Sequence, residues 1–427
     1  MEALKQFREQ TFSSLKVRNF RIYFIGQAFS HAGNWMQTVA LSWLVLQLTG
    51  SGAALGTVLA FRFAPMLLGG PFAGIIVDRF DKRRILYATQ WSFATLTLLL
   101  SFLVYADLIQ VWMLFLFATA FGIVDIVDNP GRQTFVHELV GREHLRNAVT
   151  LNATEANMAR ALGPLIAGSL IAGVGIAFCF LANALSFLVI IFALSRMRAS
   201  EFHRETFERK RAGHLFESLS YVASVPLIRS VLLAMAVIGT LSYEFQVSLP
   251  LLAQTTFNGS AADYAALLSA MGAGAVFGGL FAASRKNILP HEFIFAAFSL
   301  GFSMCLVALM PTVPLATIGM VIVGFFFINV NSLGNTMIQL EAAPHMRGRV
   351  MSLWSMAIFG STLVGAPIIG LTGEFIGPRW GLVLGGVAAM AAATFAARTL
   401  LKTDWLRTIS EKVGLQTQEV EAENQKL

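Results

Sequence analysis

The sequence predicts an all-α membrane protein of about twelve transmembrane helices, arranged as two pseudo-symmetric six-helix bundles. Three observations carry this expectation. Of 427 residues, 56% are hydrophobic and only 13% are charged, against roughly 25% charged in a typical soluble domain. The charges gather between apolar runs long enough to cross a bilayer, which takes roughly 20 residues as a helix. Finally, the connections alternate: every second one is rich in Lys and Arg, while the others are short and almost free of cations.

Taken in order, the first run, 22–48, follows a basic segment with Lys5, Arg8, Lys16, Arg18 and Arg21. That segment is too mixed, and the run too long, for a cleaved signal peptide. Runs 54–77 and 84–106 flank a charged hinge holding Asp78, Arg79, Asp81, Lys82, Arg83 and Arg84. Runs 110–128 and 155–174 enclose a connection with Arg132, Arg142 and Arg146. Run 177–195 ends at a polar linker carrying Arg196, Arg198, Arg204, Arg209, Lys210 and Arg211. The scheme repeats through 229–254, 264–283, 291–310, 314–338, 350–371 and 379–400. Arg285, Lys286, Arg347 and Arg349 lie between these later runs, and Lys402, Arg407 and Lys412 lie beyond them. On the opposite side the one clear cation is Arg379. The positive-inside rule therefore puts both termini in the cytoplasm and requires an even number of spans.

The division is into a first bundle (1–195), a linker (196–228), a second bundle (229–405) and a polar tail (406–427). Within the linker, 215–225 has the pattern of an amphipathic interfacial helix. An internal repeat supports two halves. His144-Leu-Arg146-Asn-Ala-Val149 is echoed by His345-Met-Arg347-Gly-Arg-Val350, and Gly70-xxx-Gly74 by Gly274-xxx-Gly278. Small residues at that spacing let helix backbones approach closely. Parallel six-helix halves are a transporter plan, with the cargo path between them near the bilayer midplane.

The net charge of +7 does not indicate nucleic acid, because the cations flank apolar spans. Cys179 and Cys305 sit in apolar stretches without metal or redox spacing. The histidines form no metal site, and there is no phosphate loop, HExxH or GxSxG. Neither a cofactor nor an enzymatic activity is expected. The sequon at Asn258-Gly-Ser260 carries no weight by itself.

Polar residues inside the spans are the candidates for function. Gln27, His31, Asn34 and Thr38 share one face of the first helix, with Gln37 beside them. Asn331, Asn335 and Gln339 share a face of the tenth, with Asn329 above. As sets they are expected to line a cavity; taken singly, each is equally suited to bonding a neighbouring helix. Charges within spans are costly and more telling. They are Arg62, Asp125, Asp128 and Glu244, the last beside Tyr243 and Gln246. Glu244 is the first candidate for a proton-carrying carboxylate and Asp125 the second. For each the alternative is a permanent ion pair, such as Asp125 or Asp128 with Arg132. Arg62 is expected to meet an acid or an anionic group of the cargo.

The hinge resembles a motif of the major facilitator superfamily, Gly-x-x-x-Asp-Arg-x-Gly-Arg-Arg/Lys. Gly74, Asp78, Arg79, Lys82 and Arg83 match it, while Asp81 stands where the second glycine belongs. The resemblance implies a conformational latch in which Asp78 meets Arg132 or the positive end of a helix from the other half. Further segments resemble the drug-efflux and secretion branch that includes the enterobactin exporter. They are Arg18-Asn-Phe-Arg21, Trp43-Leu-Val-Leu-Gln-Leu-Thr49, Asp128-Asn-Pro130-Gly-Arg132-Gln133 and Arg347-Gly-Arg349. Gly163, Pro164 and Gly168 resemble the superfamily's helix-five antiporter motif, with Ala159 in place of its first glycine.

The resemblance implies a monomer in the bacterial inner membrane. Its partners are lipid, protons and a small organic cargo such as a siderophore or drug, which it exports by antiport. The alternatives are uptake or uncoupled passage, and lipid transport on the same fold.

Overall fold

The computed structural model describes residues 12–203, 215–285 and 289–401. The expected tail, much of the linker, and Lys5, Arg8 and Lys286 lie outside the described residues. The chain folds into α1 (Arg18–Thr49), α2 (Gly52–Arg79), α3 (Lys82–Tyr105), α4 (Val111–Gly141), α5 (142–173) and α6 (Ile176–Ser195). There follow a short linker helix (Leu215–Ser224), then α7 (Pro226–Thr256), α8 (Ala261–Ala283) and α9 (Pro290–Leu309). The order ends with α10 (Val313–Glu341), α11 (Arg347–Phe375) and α12 (Pro378–Leu400).

The helix contacts repeat with a period of six helices. In the first half α2 packs on α4, α3 on α6, α1 on α6 and α1 on α5. In the second, α8 packs on α10, α9 on α12, α7 on α12 and α7 on α11. The two most extensive contacts between halves, α2 with α11 and α5 with α8, exchange under the same operation. Close approach at both depends on small residues. A Cβ on Gly56 would lie 2.2 Å from the Ala366 carbonyl oxygen, and one on Gly272 would lie 2.7 Å from Ala161 Cα.

Two connections differ from expectation. The predicted basic loop between the fourth and fifth runs is replaced by a single turn at Gly141, whose φ of 64° suits glycine. Arg132 is therefore a side chain inside α4, and Arg146 lies on α5. α7, expected to be continuous, breaks between Leu241 and Phe245. The Ser242 hydroxyl turns away to the Gly385 carbonyl of α12 (2.7 Å). Pro250, one turn later, offers no N–H to continue the ladder.

Nine helices among the described residues are long and apolar enough to cross a membrane. α2 counts only as the shorter apolar stretch Gly52–Leu67, while α1 and α5 fall short because they carry polar residues, which makes these two the helices to inspect for function. Their lipid-facing sides are apolar, as are those of the neighbouring helices: Phe29, Phe102, Leu116, Phe277 and Phe295 are all exposed. Tyr105, Trp112 and Trp380 mark one end of the bundle as an interfacial belt. That end, with its short loops, is the short-loop face. The opposite end carries Arg18, Arg79, Arg83 and Arg196 and is the basic face.

Candidate functional site

The polar residues of the first half knit its helices together. Arg132 Nη1 donates to His31 Nε2 (3.1 Å), so His31 Nδ1 carries the proton it donates to Glu155 Oε2 (2.7 Å). Gln27 also reaches His31 Nε2 (3.0 Å). The second Arg132 nitrogen pairs with Asp128 Oδ2 (2.7 Å), while Thr89 and Gln90 donate to Asp128 Oδ1 at 2.6 and 2.8 Å. Arg62 Nη2 meets Asp125 Oδ2 (3.0 Å) and lies over the Phe121 ring. Asp125, Asp128 and Glu155 thus each have a cationic or imidazole partner.

This corrects the expected cavity face of α1. Gln27 and Gln37 are almost fully buried inside the half. Asn183 Nδ2 and Thr97 Oγ1 donate to Gln37 Oε1 at 2.6 and 3.1 Å, and Asn34 lies 3.5 Å from the same Asn183 amide. The physical reason is that lipid offers no hydrogen bonds, so neighbouring helices satisfy the amides. On α10, Asn335 accepts from Gln339 one turn along the same helix. Arg62 is engaged by Asp125 rather than free for cargo.

The hinge also acts within one half. Arg83 donates to the Leu194 carbonyl at the end of α6 (2.6 and 3.1 Å), and Lys82 reaches Glu138 of α4 (3.7 Å). Asp81 caps α3 by accepting from Arg84 N (3.0 Å) with an extended backbone, so the missing glycine is not needed. Arg79 is exposed against Phe80. Asp78 closes the last turn of α2, but its side chain and the surroundings of Gly74 lie outside the described residues. Arg132, its expected partner, is taken by Asp128 and His31.

A cavity of about 270 Å³ lies between the halves. Trp35, Phe63 and Arg160 line it from the first half, and Tyr243, Glu244, Gln246, Phe327 and Asn331 from the second. The break in α7 places Glu244 on this wall at the start of the next helical segment. Glu244 Oε1 is buried without a hydrogen-bond partner and occupies the space beside Gly365 of α11. Arg160 is stacked between Trp35 (5.1 Å) and Phe327 (5.5 Å), and its buried Nε has no partner. The sequence reading passed over Arg160 and Glu155. The signal was present, since both fall within the predicted run 155–174.

A second opening of about 430 Å³ separates Asp125, Asn129 and Gln133 from Gly348, Ser352 and Met356 of α11, toward the basic face. At the short-loop face the halves are joined. Ser51 Oγ and Ala53 N, at the start of α2, donate to Glu374 of α11 at 2.5 and 2.9 Å. Gly163 and Gly168 lie on two sides of α5. A Cβ on Gly163 would sit 2.6 Å from Trp35 Cβ of α1, and one on Gly168 would sit 2.8 Å from Ala265 Cβ of α8. Pro164, between them, is accommodated within the helix.

A family model described as "Transmembrane secretion effector" matches residues 9–425. The chain belongs to that family of major facilitator transporters. Over 86% of its length it is 27% identical to the multidrug efflux pump Tap of Mycolicibacterium fortuitum, covering 89% of that protein. It is 22% identical to the enterobactin exporter EntS of Salmonella choleraesuis, over 84% of this chain and 86% of that one. The staphyloferrin A transporter of Staphylococcus aureus is 32% identical, but over 40% of this chain and 43% of its own length. Among solved structures, a bacterial homologue of the lysosomal transporter Spinster, inward-facing and unoccupied, superposes with a TM-score of 0.71 at 16% identity. That match covers 90% of this chain and 97% of the homologue. A D-xylose–proton symporter gives 0.70 at 13% identity, covering 89% and 98%. These likenesses show the fold. The transporter class thus rests on the family and its relatives, and with it the non-enzymatic character of the chain.

Proposed function

We propose that this transporter exports a small organic molecule across the bacterial inner membrane in exchange for protons, by rocking its two halves about the central cavity. The observation that carries the reading is Glu244, a buried carboxylate with no cationic partner among the described residues, on the wall of a cavity shared by both halves. A carboxylate in that place gains and loses a proton as access alternates, whereas Asp125 is held by Arg62. Asp125 stays the second candidate because it also borders the opening toward the basic face. The drug-efflux and siderophore-exporting relatives support the outward direction. The basic face, with both termini, is cytoplasmic by the positive-inside rule. The clasp at the short-loop face then makes this an inward-open arrangement.

Asp78, Gly74 and the cations Arg79, Lys82, Arg83 and Arg132 form the device that stabilises the opposite state. Gly163, Pro164 and Gly168 seal α5 against α1 and α8. The working unit is a monomer in lipid; nucleic acid plays no part.

The test is accumulation of dyes, antibiotics and siderophores in a host stripped of its own efflux pumps, with and without a protonophore. Cells expressing the wild type should retain less of at least one compound, and the protonophore should abolish the difference. Glu244→Gln should lose protonophore-sensitive export, and Asp78→Asn should slow it. Raised accumulation means uptake. Export that survives in both variants removes the assigned roles.

A further inference from the structure

We propose that the central cavity takes an amphipathic organic anion, with its carboxylate, sulfonate or phenolate seated on Arg160. The inference rests on reading this cavity as the cargo site, and it adds a cargo class to that reading.

An arginine inside a membrane protein is costly and is normally neutralised by an acid or by carbonyl groups. The other membrane-embedded cations of the first half obey this. Arg62 has Asp125, and Arg132 has Asp128 and His31. Arg160 does not: among the described residues it has no carboxylate partner and no hydrogen bond, and its Nε is buried. Its guanidinium faces are occupied by the Trp35 and Phe327 rings, at 5.1 and 5.5 Å. Stacking of this kind stabilises the cation without using its donors, because the N–H groups lie in the guanidinium plane. They form a fork matched to a carboxylate or another oxyanion.

The rest of the cavity suits an apolar body. Leu59, Phe63, Leu268, Met271 and Ile358 line it along with the rings. The one opposing charge is Glu244, which lies on the other half and is engaged with the α11 side of the wall near Thr362 and Gly365. A stacked, desolvated cation on the wall of a largely apolar cavity repels organic cations and attracts anions. The partner that Arg160 lacks among the described residues is thus supplied by the cargo.

The test uses three matched probes on the purified full-length protein in lipid nanodiscs: 2-naphthoate, the neutral 2-naphthamide and the cation 2-naphthylmethylammonium. They share one ring system and differ in charge. Calorimetric titration should show naphthoate binding at least tenfold more tightly than the amide, with the ammonium weakest. Arg160→Gln should erase the preference for naphthoate, and Arg160→Lys should retain part of it. Equal binding of acid and amide to the wild type overturns the proposal without recourse to any variant, as does a preference for the cation. A preference for the acid that survives Arg160→Gln overturns it too. The outcome is separable from the export reading. Arg160-dependent naphthoate binding with no protonophore-sensitive export keeps this site and removes that reading. Export of cationic dyes with no naphthoate binding does the reverse.

Discussion

The contact most open to a quantitative test is the clasp at the short-loop face. Glu374 in the last turn of α11 accepts from Ser51 Oγ at 2.5 Å and from Ala53 N at 2.9 Å. Ser51 also caps α2, taking a bond from Ala54 N (3.1 Å), so the carboxylate sits at a helix N-terminus, where negative charge is favoured. In a protected setting, hydrogen bonds to a charged group contribute roughly 1.5–3 kcal/mol each. Glu374 is exposed, and solvent screening reduces the pair together to about 1 kcal/mol. Glu374→Ala removes that stabilisation from the state closed at this face and from no other contact in the structure. An energy of about 1 kcal/mol corresponds to a shift of about fivefold in the ratio of the two conformations.

The assay is the distance between spin labels at Leu108 and Thr312, in short-loop connections of opposite halves, with Cys179 and Cys305 replaced by serine. The ratio of long- to short-distance populations should rise about fivefold in Glu374→Ala and less in Glu374→Gln, which keeps an acceptor oxygen. An unchanged distribution in a normally folded Glu374→Ala protein refutes the clasp.

Three further outcomes follow from packing and pairing. Gly168→Leu drives a side chain into Ala265 and Ala262 of α8, where a Cβ alone lies 2.8 and 3.1 Å from their atoms. Overpacking of about 1–3 kcal/mol should open the same spin-label distance or lower the thermal midpoint in detergent. His31→Ala leaves Glu155 and Arg132 without their shared partner. Losing a hydrogen bond to a charged group costs roughly 1.5–3 kcal/mol, so this variant should melt below the wild type, with His31→Gln in between. Asp81→Ala removes the α3 cap and should lose about 1 kcal/mol, whereas Asp81→Gly should lose only a few tenths and keep transport, as thermal unfolding and dye accumulation will report.

Much of the fold was legible because lipid imposes two rules on sequence, a minimum apolar length and a cytoplasmic bias of cations. α1 was legible by the charge alternation around it, even though Gln27, His31, Asn34 and Gln37 make it too polar to stand out by hydropathy. The α4–α5 connection was not. Its polar residues resemble a loop, yet they continue two helices whose ends meet at Gly141, and only tertiary packing makes that arrangement stable. The polar face of α1 was seen but misassigned, because periodicity tells that residues share a face and not what covers it. Asn183 and Glu155, which cover it, lie on α6 and α5. Glu244, Tyr243, Gln246 and Asn331 do share a cavity. Arg160 was missed although it lies within the predicted run 155–174, where a charge is costly, with Glu155 and Asn157 close before it.

Cargo charge and proton coupling constrain each other. Arg160 and Glu244 line one cavity from opposite halves. An anion on Arg160 is repelled by an ionised Glu244, so protonating Glu244 strengthens its binding. By reciprocity, the cargo then strengthens proton binding. That sign belongs to co-transport. Exchange requires the opposite, a cargo bound less well when the proton is present. The reversal arises when the cargo also carries a donor, such as an ammonium or hydroxyl group, that Glu244 accepts and that a proton displaces. Tyr243, Gln246, Asn331 and Thr362, the other polar side chains on the cavity wall besides Arg160, carry no charge near neutral pH, and the ion pairs of the first half have their charges balanced.

Two probes separate the cases: 2-naphthoate, an anion alone, and tryptophan, an anion with an ammonium. Both keep their charges from roughly pH 8 to roughly pH 5.5. For export by exchange, tryptophan should bind more weakly as pH falls, by at most about tenfold per pH unit for a single proton. Naphthoate should bind more tightly over the same range, and both trends should vanish in Glu244→Gln. If tryptophan also binds more tightly in acid, the linkage has the sign of co-transport and exchange is the wrong reading. If neither probe responds to pH, the proton is carried elsewhere, and Asp125 becomes the residue to neutralise.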